Sequence, residues 1–171
     1  MLTGGSTPRD AYSSFVDVVK SVGVDVSRSV LWFSDERCVS PDDERSNYGM
    51  VRASLLEPLG ESSSPVVHRM RGELGPADGA EEYERELRAA GTPRFDLVLL
   101  GIGPDGHCAS LFPDQASLSE RSRSVVGVEE AGLEPFVPRI SMTLPRLANA
   151  RQVVFLATGE SKAGPVAGRS C

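Results

Sequence analysis

The chain is poor in the features that mark specialised protein classes. Its three cysteines, Cys38, Cys108 and Cys171, are too widely spaced for a C-x-x-C metal pair and do not make an even disulfide framework, so reduced thiols and no metal site are expected. No apolar run is long enough to span a bilayer, and Met1-Leu-Thr-Gly-Gly lacks the charged and apolar regions of a signal peptide. No membrane partner is therefore expected, and the expected location is the cytoplasm. Positive charge is in deficit: the formal net charge is −6 with a pI near 5.0, which argues against nucleic acid as a partner. An anionic small substrate would need local cations. Histidine is scarce, with only His68 and His107.

What is present fits one globular domain. With 171 residues, 40% of them hydrophobic and 25% charged, the chain can bury a sizeable core, and no repeat or low-complexity linker divides it. Tyr12, Phe15, Val16, Val19 and Val22 recur at helical spacing from a start near Ser6 or Thr7, with Pro8 in the first turn and Gly23 as the stop. Residues 29–34 read as a strand, Asp35-Glu36-Arg37 as a turn, and Asn47 as the start of a helix carrying Met50, Val51 and Leu55 inward. Further strands are expected at 66–70, 95–100, 124–128, 139–142 and 152–157, with a helix over 78–90 presenting Ala80, Tyr83, Leu87 and Ala90 on one side. This alternation predicts an α/β fold, an open and mostly parallel sheet flanked by helices in the Rossmann-like manner. Both ends read as shortened: glycines follow almost directly on Met1, and Gly164-Pro165 and Gly168 interrupt the helix expected after Lys162.

The chemistry-bearing residues gather where strands end. After the apolar run to Leu100, Gly101, Gly103 and Gly106 match G-x-G-x-x-G, but Pro104 and Pro113 leave no room for the helix a dinucleotide would need. No nicotinamide or other cofactor is expected. The loop instead projects Asp105 and His107 beyond the carboxyl end of a strand, where open α/β sheets bind ligands. Cys108 follows His107 directly, and adjacent residues rarely face each other, so a thiol mechanism is not favoured. Gly4-Gly5-Ser6-Thr7-Pro8 brings backbone N–H groups, two hydroxyls and a helix N-terminus together, a candidate phosphate cradle; alone, it is equally readable as an ordinary helix cap. Arg37 offers a planar fork of donors for phosphate or a developing oxyanion, which Asp35 or Glu36 could hold in place. Arg139 and Lys162 add two cations at possible sheet edges. His68 has no companion motif and reads as structural.

Taken in order, Gly4-Gly-Ser-Thr-Pro8, Trp32-Phe-Ser-Asp-Glu-Arg37, Gly101-Ile-Gly-Pro-Asp-Gly-His107, Ala109-Ser-Leu-Phe-Pro113, Arg139-Ile-Ser-Met-Thr-Leu-Pro145 and Thr158-Gly-Glu-Ser-Lys-Ala163 resemble the 6-phosphogluconolactonase family. The resemblance implies a sheet related to that of the sugar-phosphate isomerases and hydrolysis of 6-phospho-D-glucono-1,5-lactone in the oxidative pentose phosphate pathway. It implies His107 as general base, with Asp105 and Arg37 beside it. Gly4, Gly5, Ser6, Thr7, Asp35, Gly103, Gly106, Arg139 and Lys162 would bind the phosphorylated sugar lactone. A monomer or weak homo-oligomer is expected, on a single domain over residues 1–171 that is incomplete at both termini. The sharpest alternative is the related glucosamine-6-phosphate deaminase, whose loop has phenylalanine-asparagine-glutamate-proline where this chain has Ser110-Leu-Phe-Pro113, and tyrosine in place of Arg37. A catalytically silent sugar-phosphate-binding module is the third reading.

Overall fold

Residues 1–3 lie in the middle of a parallel sheet, and the whole arrangement follows from that placement. The computed structural model describes residues 1–168. In chain order its strands are β1 (Val30–Trp32), β2 (Asp35–Arg37), β3 (Val66–His68), β4 (Leu97–Gly101), β5 (Val125–Val128), β6 (Arg139–Met142) and β7 (Gln152–Leu156). Its α-helices are α1 (Ser6–Val22), α2 (Asn47–Val51), α3 (Glu57–Leu59), α4 (Pro76–Ala89), α5 (Leu144–Ala148) and α6 (Ala163–Val166). A π-helical turn, Arg52–Leu56, joins α2 to α3. None of these helices is long and apolar enough to cross a membrane.

On one side of residues 1–3, Leu2 N donates to Trp32 O (2.7 Å) and Ser34 N donates to Leu2 O (2.8 Å). On the other side, Leu99 N donates to Met1 O (3.1 Å). β1 pairs in parallel with β3, and β4 with β7. The spatial order is thus β3, β1, residues 1–3, β4, β7, the parallel sheet that the alternation of elements predicts. The chain leaves the central segment in one direction, through α1 to β1 and β3. It returns to the other side for β4 and β7, so the order reverses between residues 1–3 and β4. At such a reversal the loops leaving two neighbouring strands diverge and open a crevice beyond their carboxyl ends.

The remaining three strands form a separate antiparallel sheet, ordered β2-β6-β5. Asp35-Glu36-Arg37 is therefore a strand rather than the turn expected from its polarity, and Asp35, Glu36 and Arg37 pair with Ser141, Ile140 and Arg139. β5 and β6, expected in the sequence reading as strands of the one sheet, belong here too. Helix α4 packs across β5 and β6, burying Ala80, Tyr83 and Leu87 of the expected face but leaving Ala90, just past its end, exposed, while Glu84 accepts from Ser124 N and Val125 N (both 2.8 Å).

Helix α1 begins one or two residues earlier than a Ser6 or Thr7 cap would place it. Gly5 occupies the cap position at φ 109°, with no side-chain cap, and the helix stops at Gly23 in the left-handed conformation. Its buried stripe is Tyr12, Val16 and Val19, and the Tyr12 hydroxyl accepts from Thr3 N (3.0 Å) and donates to Thr3 O (2.9 Å). That exchange fixes the end of the central segment against the helix that follows it.

Tyr83 performs the same service between layers: its hydroxyl accepts from Phe33 N (2.8 Å) and donates to His68 O (3.0 Å). His68 itself stacks on Trp32 with centroids 3.9 Å apart and bonds Glu86 through Nδ1 (2.6 Å), a structural placement. Replacing Tyr83 with phenylalanine leaves two backbone groups unpaired beside a buried ring. We expect a loss of about 1–3 kcal/mol in unfolding free energy by urea denaturation, with no change in the denaturant slope.

Candidate active site

A cleft of about 210 Å³ opens at the order reversal, lined by Gly4, Gly5, Ser6 and Thr7 on one side and by Gly101, Gly103 and His107 on the other. Asp35, Arg37, Arg139 and Lys162 also line it. The glycine-rich loop and the imidazole, separated by a hundred residues in sequence, thus face a common space. Of the residues expected at the site, Asp105 and Gly106 are not among those that line it.

Asp105 stands behind the histidine. Its Oδ1 lies 2.6 Å from His107 Nδ1 and accepts from His107 N at 3.2 Å. Burial alone would push the Asp105 carboxyl up, but the hydrogen bond and charge of His107 together outweigh it and hold the acid below its ordinary range. In the neutral ring, a carboxylate on Nδ1 holds the proton there and leaves Nε2 as an acceptor, an arrangement that suits a general base. The ring rests against Phe112, centroids 4.6 Å apart.

The glycines of this loop are steric and conformational requirements. A Cβ on Gly103 would stand 2.1 Å from His107 Nδ1, so the imidazole lies directly over that residue. Gly106 takes φ 89° and donates to Gly103 O (3.1 Å), making the turn that returns His107 toward the strand end. Gly106 therefore shapes the loop rather than lining the cleft. Cys108 beside it is mostly buried, which pushes its thiol up and keeps it from acting as a thiolate near neutrality. Cys171 lies outside the described residues.

Opposite the histidine, the first turn of α1 presents backbone N–H groups that no side chain caps, while Thr7 Oγ1 meets Thr158 Oγ1 at 2.7 Å across the cleft's rim. Two arginines flank this helix end, face to face in the β2–β6 register. Like charges directly opposite on a sheet repel, and at Arg139 the nearby charges of Asp35 and Glu36 oppose that repulsion. The Arg37 guanidinium gives Nη1 to Arg45 O and leaves Nε buried without a partner. Arg139 gives Nε to Val137 O (3.0 Å) and Nη2 to Pro135 O (2.6 Å) and more weakly to Leu133 O (3.4 Å). Burial, then the charge of Arg37, lowers Arg139 to about 10. A bound anion would relieve both strains.

The acids expected to hold Arg37 do something else. Glu36 turns inward and accepts from the N–H groups of Arg37, Asn47 and Tyr48, each at 2.7 Å, tying β2 to the start of α2. Burial pushes its carboxyl up, against the lowering effect of those donors. Asp35 is buried, its Oδ1 accepting from Ser34 Oγ (2.9 Å) and its Oδ2 from Ser110 Oγ (2.8 Å). Ser110 and Phe112, legible in the sequence only as part of the Ala109–Pro113 motif, and Asn47, legible only as a helix start, also line the cleft. Ala109, also lining it, takes φ 51°, a backbone conformation rare outside glycine that no local pattern announces.

The Asp105–His107 contact carries a pH signature. A depressed folded-state pKa contributes stability that is fully present above the unfolded carboxylate value of about 3.9 and is lost as pH falls through the lower folded value. Asp105→Asn is therefore expected to destabilise the protein near neutrality, with the gap from the unsubstituted chain closing as the medium is acidified below the ordinary carboxylate range. Thermal melts across a pH series read this directly; a gap independent of pH would contradict it.

Comparison with known proteins gives a consistent picture. The family described as glucosamine-6-phosphate isomerases/6-phosphogluconolactonase matches residues 1–169. The 6-phosphogluconolactonase of Treponema pallidum is 37% identical over 166 residues, covering 94% of this chain and 67% of that protein. The human 6-phosphogluconolactonase is 40% identical over 167 residues, covering 95% of this chain and 64% of its own length. The chain spans between about half and two thirds of the length of the first curated relatives it matches. Among solved structures, the 6-phosphogluconolactonase of Thermotoga maritima superposes with a TM-score of 0.84 at 32% identity, over 97% of this chain and 72% of that one.

Proposed function

The chain belongs to the glucosamine-6-phosphate isomerase/6-phosphogluconolactonase family, and from that premise we propose that its cleft hydrolyses 6-phospho-D-glucono-1,5-lactone to 6-phosphogluconate. The observation that carries this reading is the shared opening of an uncapped helix N-terminus with flanking cations and an imidazole held by a carboxylate.

The phosphate binds at the first turn of α1, among the N–H groups and hydroxyls of Ser6 and Thr7, with Arg37, Arg139 and Lys162 supplying positive charge. Anchoring that remote group fixes the lactone ring relative to His107, converting binding energy into orientation. His107 Nε2 takes a proton from water as the water oxygen bonds to the lactone carbonyl carbon. Backbone donors of the histidine loop stabilise the oxyanion that forms. Collapse of that intermediate breaks the bond to the ring oxygen, which receives the proton back from Nε2. The product is an open-chain acid, which ionises and releases a proton. Asp35, buried at the cleft wall, orients a sugar hydroxyl.

Phe112 favours hydrolysis over deamination. In the deaminase-type loop the residue before the proline is glutamate, positioned to assist ring opening; here it is Phe112, 2% exposed and packed at a tilt against His107. An apolar ring there gives water activation a dry backing and offers no second acid.

Acid release from freshly prepared 6-phosphogluconolactone tests the proposal: the protein accelerates it above the spontaneous rate. His107→Ala lowers kcat by about 10²–10⁴-fold while 6-phosphogluconate still binds. No acceleration together with tight phosphosugar binding would instead leave a silent binding module, and ammonia from glucosamine 6-phosphate would support the deaminase. Unchanged turnover in His107→Ala would remove the base role.

A further inference from the structure

Asn47 is an anomaly in the site described above. It is 1% exposed and lines the cleft, yet its Oδ1 is buried with no hydrogen-bond partner. Buried amide oxygens are nearly always paired, so an unpaired one at a ligand cleft calls for a reason. The rest of the residue is firmly held. Its Nδ2 donates to Asp35 O (3.0 Å), its N donates to Glu36 Oε1 (2.7 Å), and the preceding Ser46 caps α2 by accepting from Gly49 N (3.0 Å).

The reason lies at Gly4. A Cβ there would stand 1.8 Å from Asn47 Oδ1 and 2.4 Å from its Cγ, so the Gly4 backbone is pressed against the amide plane. The hydrogen of Gly4 that replaces a side chain points at Oδ1, a weak C–H···O contact that partly serves the orphaned oxygen. Gly4 is thus glycine because Asn47 occupies the place of a side chain. Asn47 is the piece that spans from β2 to the glycine-rich loop.

We propose that Asn47 is the positioning residue of the anion cradle. Pinned to the Asp35 carbonyl and to the capped start of α2, its amide sets how deeply the loop of Gly4 to Thr7 sits against β2. That depth fixes the spacing between the uncapped N–H groups of α1 and the Arg37 guanidinium, the two donor sets a bound phosphate must reach together. The inference rests on the reading of the cleft as a phosphosugar site.

The test is calorimetric titration of inorganic phosphate and of 6-phosphogluconate into the full chain, paired with lactone kinetics. Asn47→Ala is expected to weaken both ligands about tenfold and to raise KM by a similar factor, with kcat within about threefold because His107 and Asp105 are untouched. Asn47→Asp, of the same shape, loses the donor to Asp35 O and places a negative charge beside the cradle; it is expected to weaken both ligands further, and it carries the test if the alanine variant fails to fold. Gly4→Ala weakens binding as well, and the double variant Gly4→Ala/Asn47→Ala, which frees the space the new methyl needs, binds better than Gly4→Ala alone. Wild-type affinity in both Asn47 variants, or a loss confined to kcat, would overturn the positioning role. An unsubstituted chain that binds neither ligand would instead overturn the phosphosugar reading, and this proposal with it.

Discussion

The parallel pairing of residues 1–3 with strands on both sides is the constraint from which the site follows. Two hydrogen bonds join Leu2 to the Trp32 strand and one joins Met1 to Leu99. Because the chain runs outward from that central segment in one direction first and returns to the other side later, the loop after Thr3 and the loop after Gly101 must part at their strand ends. One of those loops enters a helix without a side-chain cap, and the other carries the imidazole. Neither loop makes a site alone; their divergence from adjacent strands does.

The second sheet supplies what the parallel one lacks. β2 and β6 bring Arg37 and Arg139 opposite each other at the edge of the cleft, and the cost of that like-charge pairing is borne by interactions elsewhere. Glu36 ties β2 to α2, and Arg139 is held by carbonyls of residues 133–137. Asp35 is fastened to the histidine loop through Ser110, and Ser110 N in turn bonds Ser141 Oγ at 3.2 Å. The cleft is in this way assembled from both sheets, with buried polar bonds crossing between segments far apart in sequence. Such networks are costly when half satisfied, and two of the five buried side-chain atoms without a partner among the described residues, Arg37 Nε and Asn47 Oδ1, belong to residues that line the cleft.

Much of this was legible in the amino-acid sequence, for reasons that are local. The apolar run ending at Leu100, the helical spacing of Tyr12, Val16 and Val19, and the stop at Gly23 are each encoded within a few residues and appear where expected, whereas Phe15 and Val22 of the same spacing are exposed. The convergence of the glycine-rich loop with His107 was legible because strand ends in a parallel sheet share one edge. What escaped is non-local. Asp35-Glu36-Arg37 looks like a turn because its partner strand lies a hundred residues away and its polar side chains show no alternation of burial. Ser110 and Asn47 escaped for the same reason: their partners are 75 and 12 residues distant, and neither carries a signal beyond helix start or loop. Only the demand for a glycine at position 4, which a sequence cannot distinguish from a demand for flexibility, pointed toward Asn47.

The site requires one ligand to engage both loops together. With only two histidines in the chain, labelled-imidazole NMR isolates the ring nitrogens of His107, while the amides of Gly5, Ser6 and Thr7 report on the helix end. During titration with 6-phosphogluconate, the His107 nitrogen resonances and those amide resonances are expected to shift with a single dissociation constant. Shifts confined to one loop, or two loops saturating at different ligand concentrations, would contradict the common cleft.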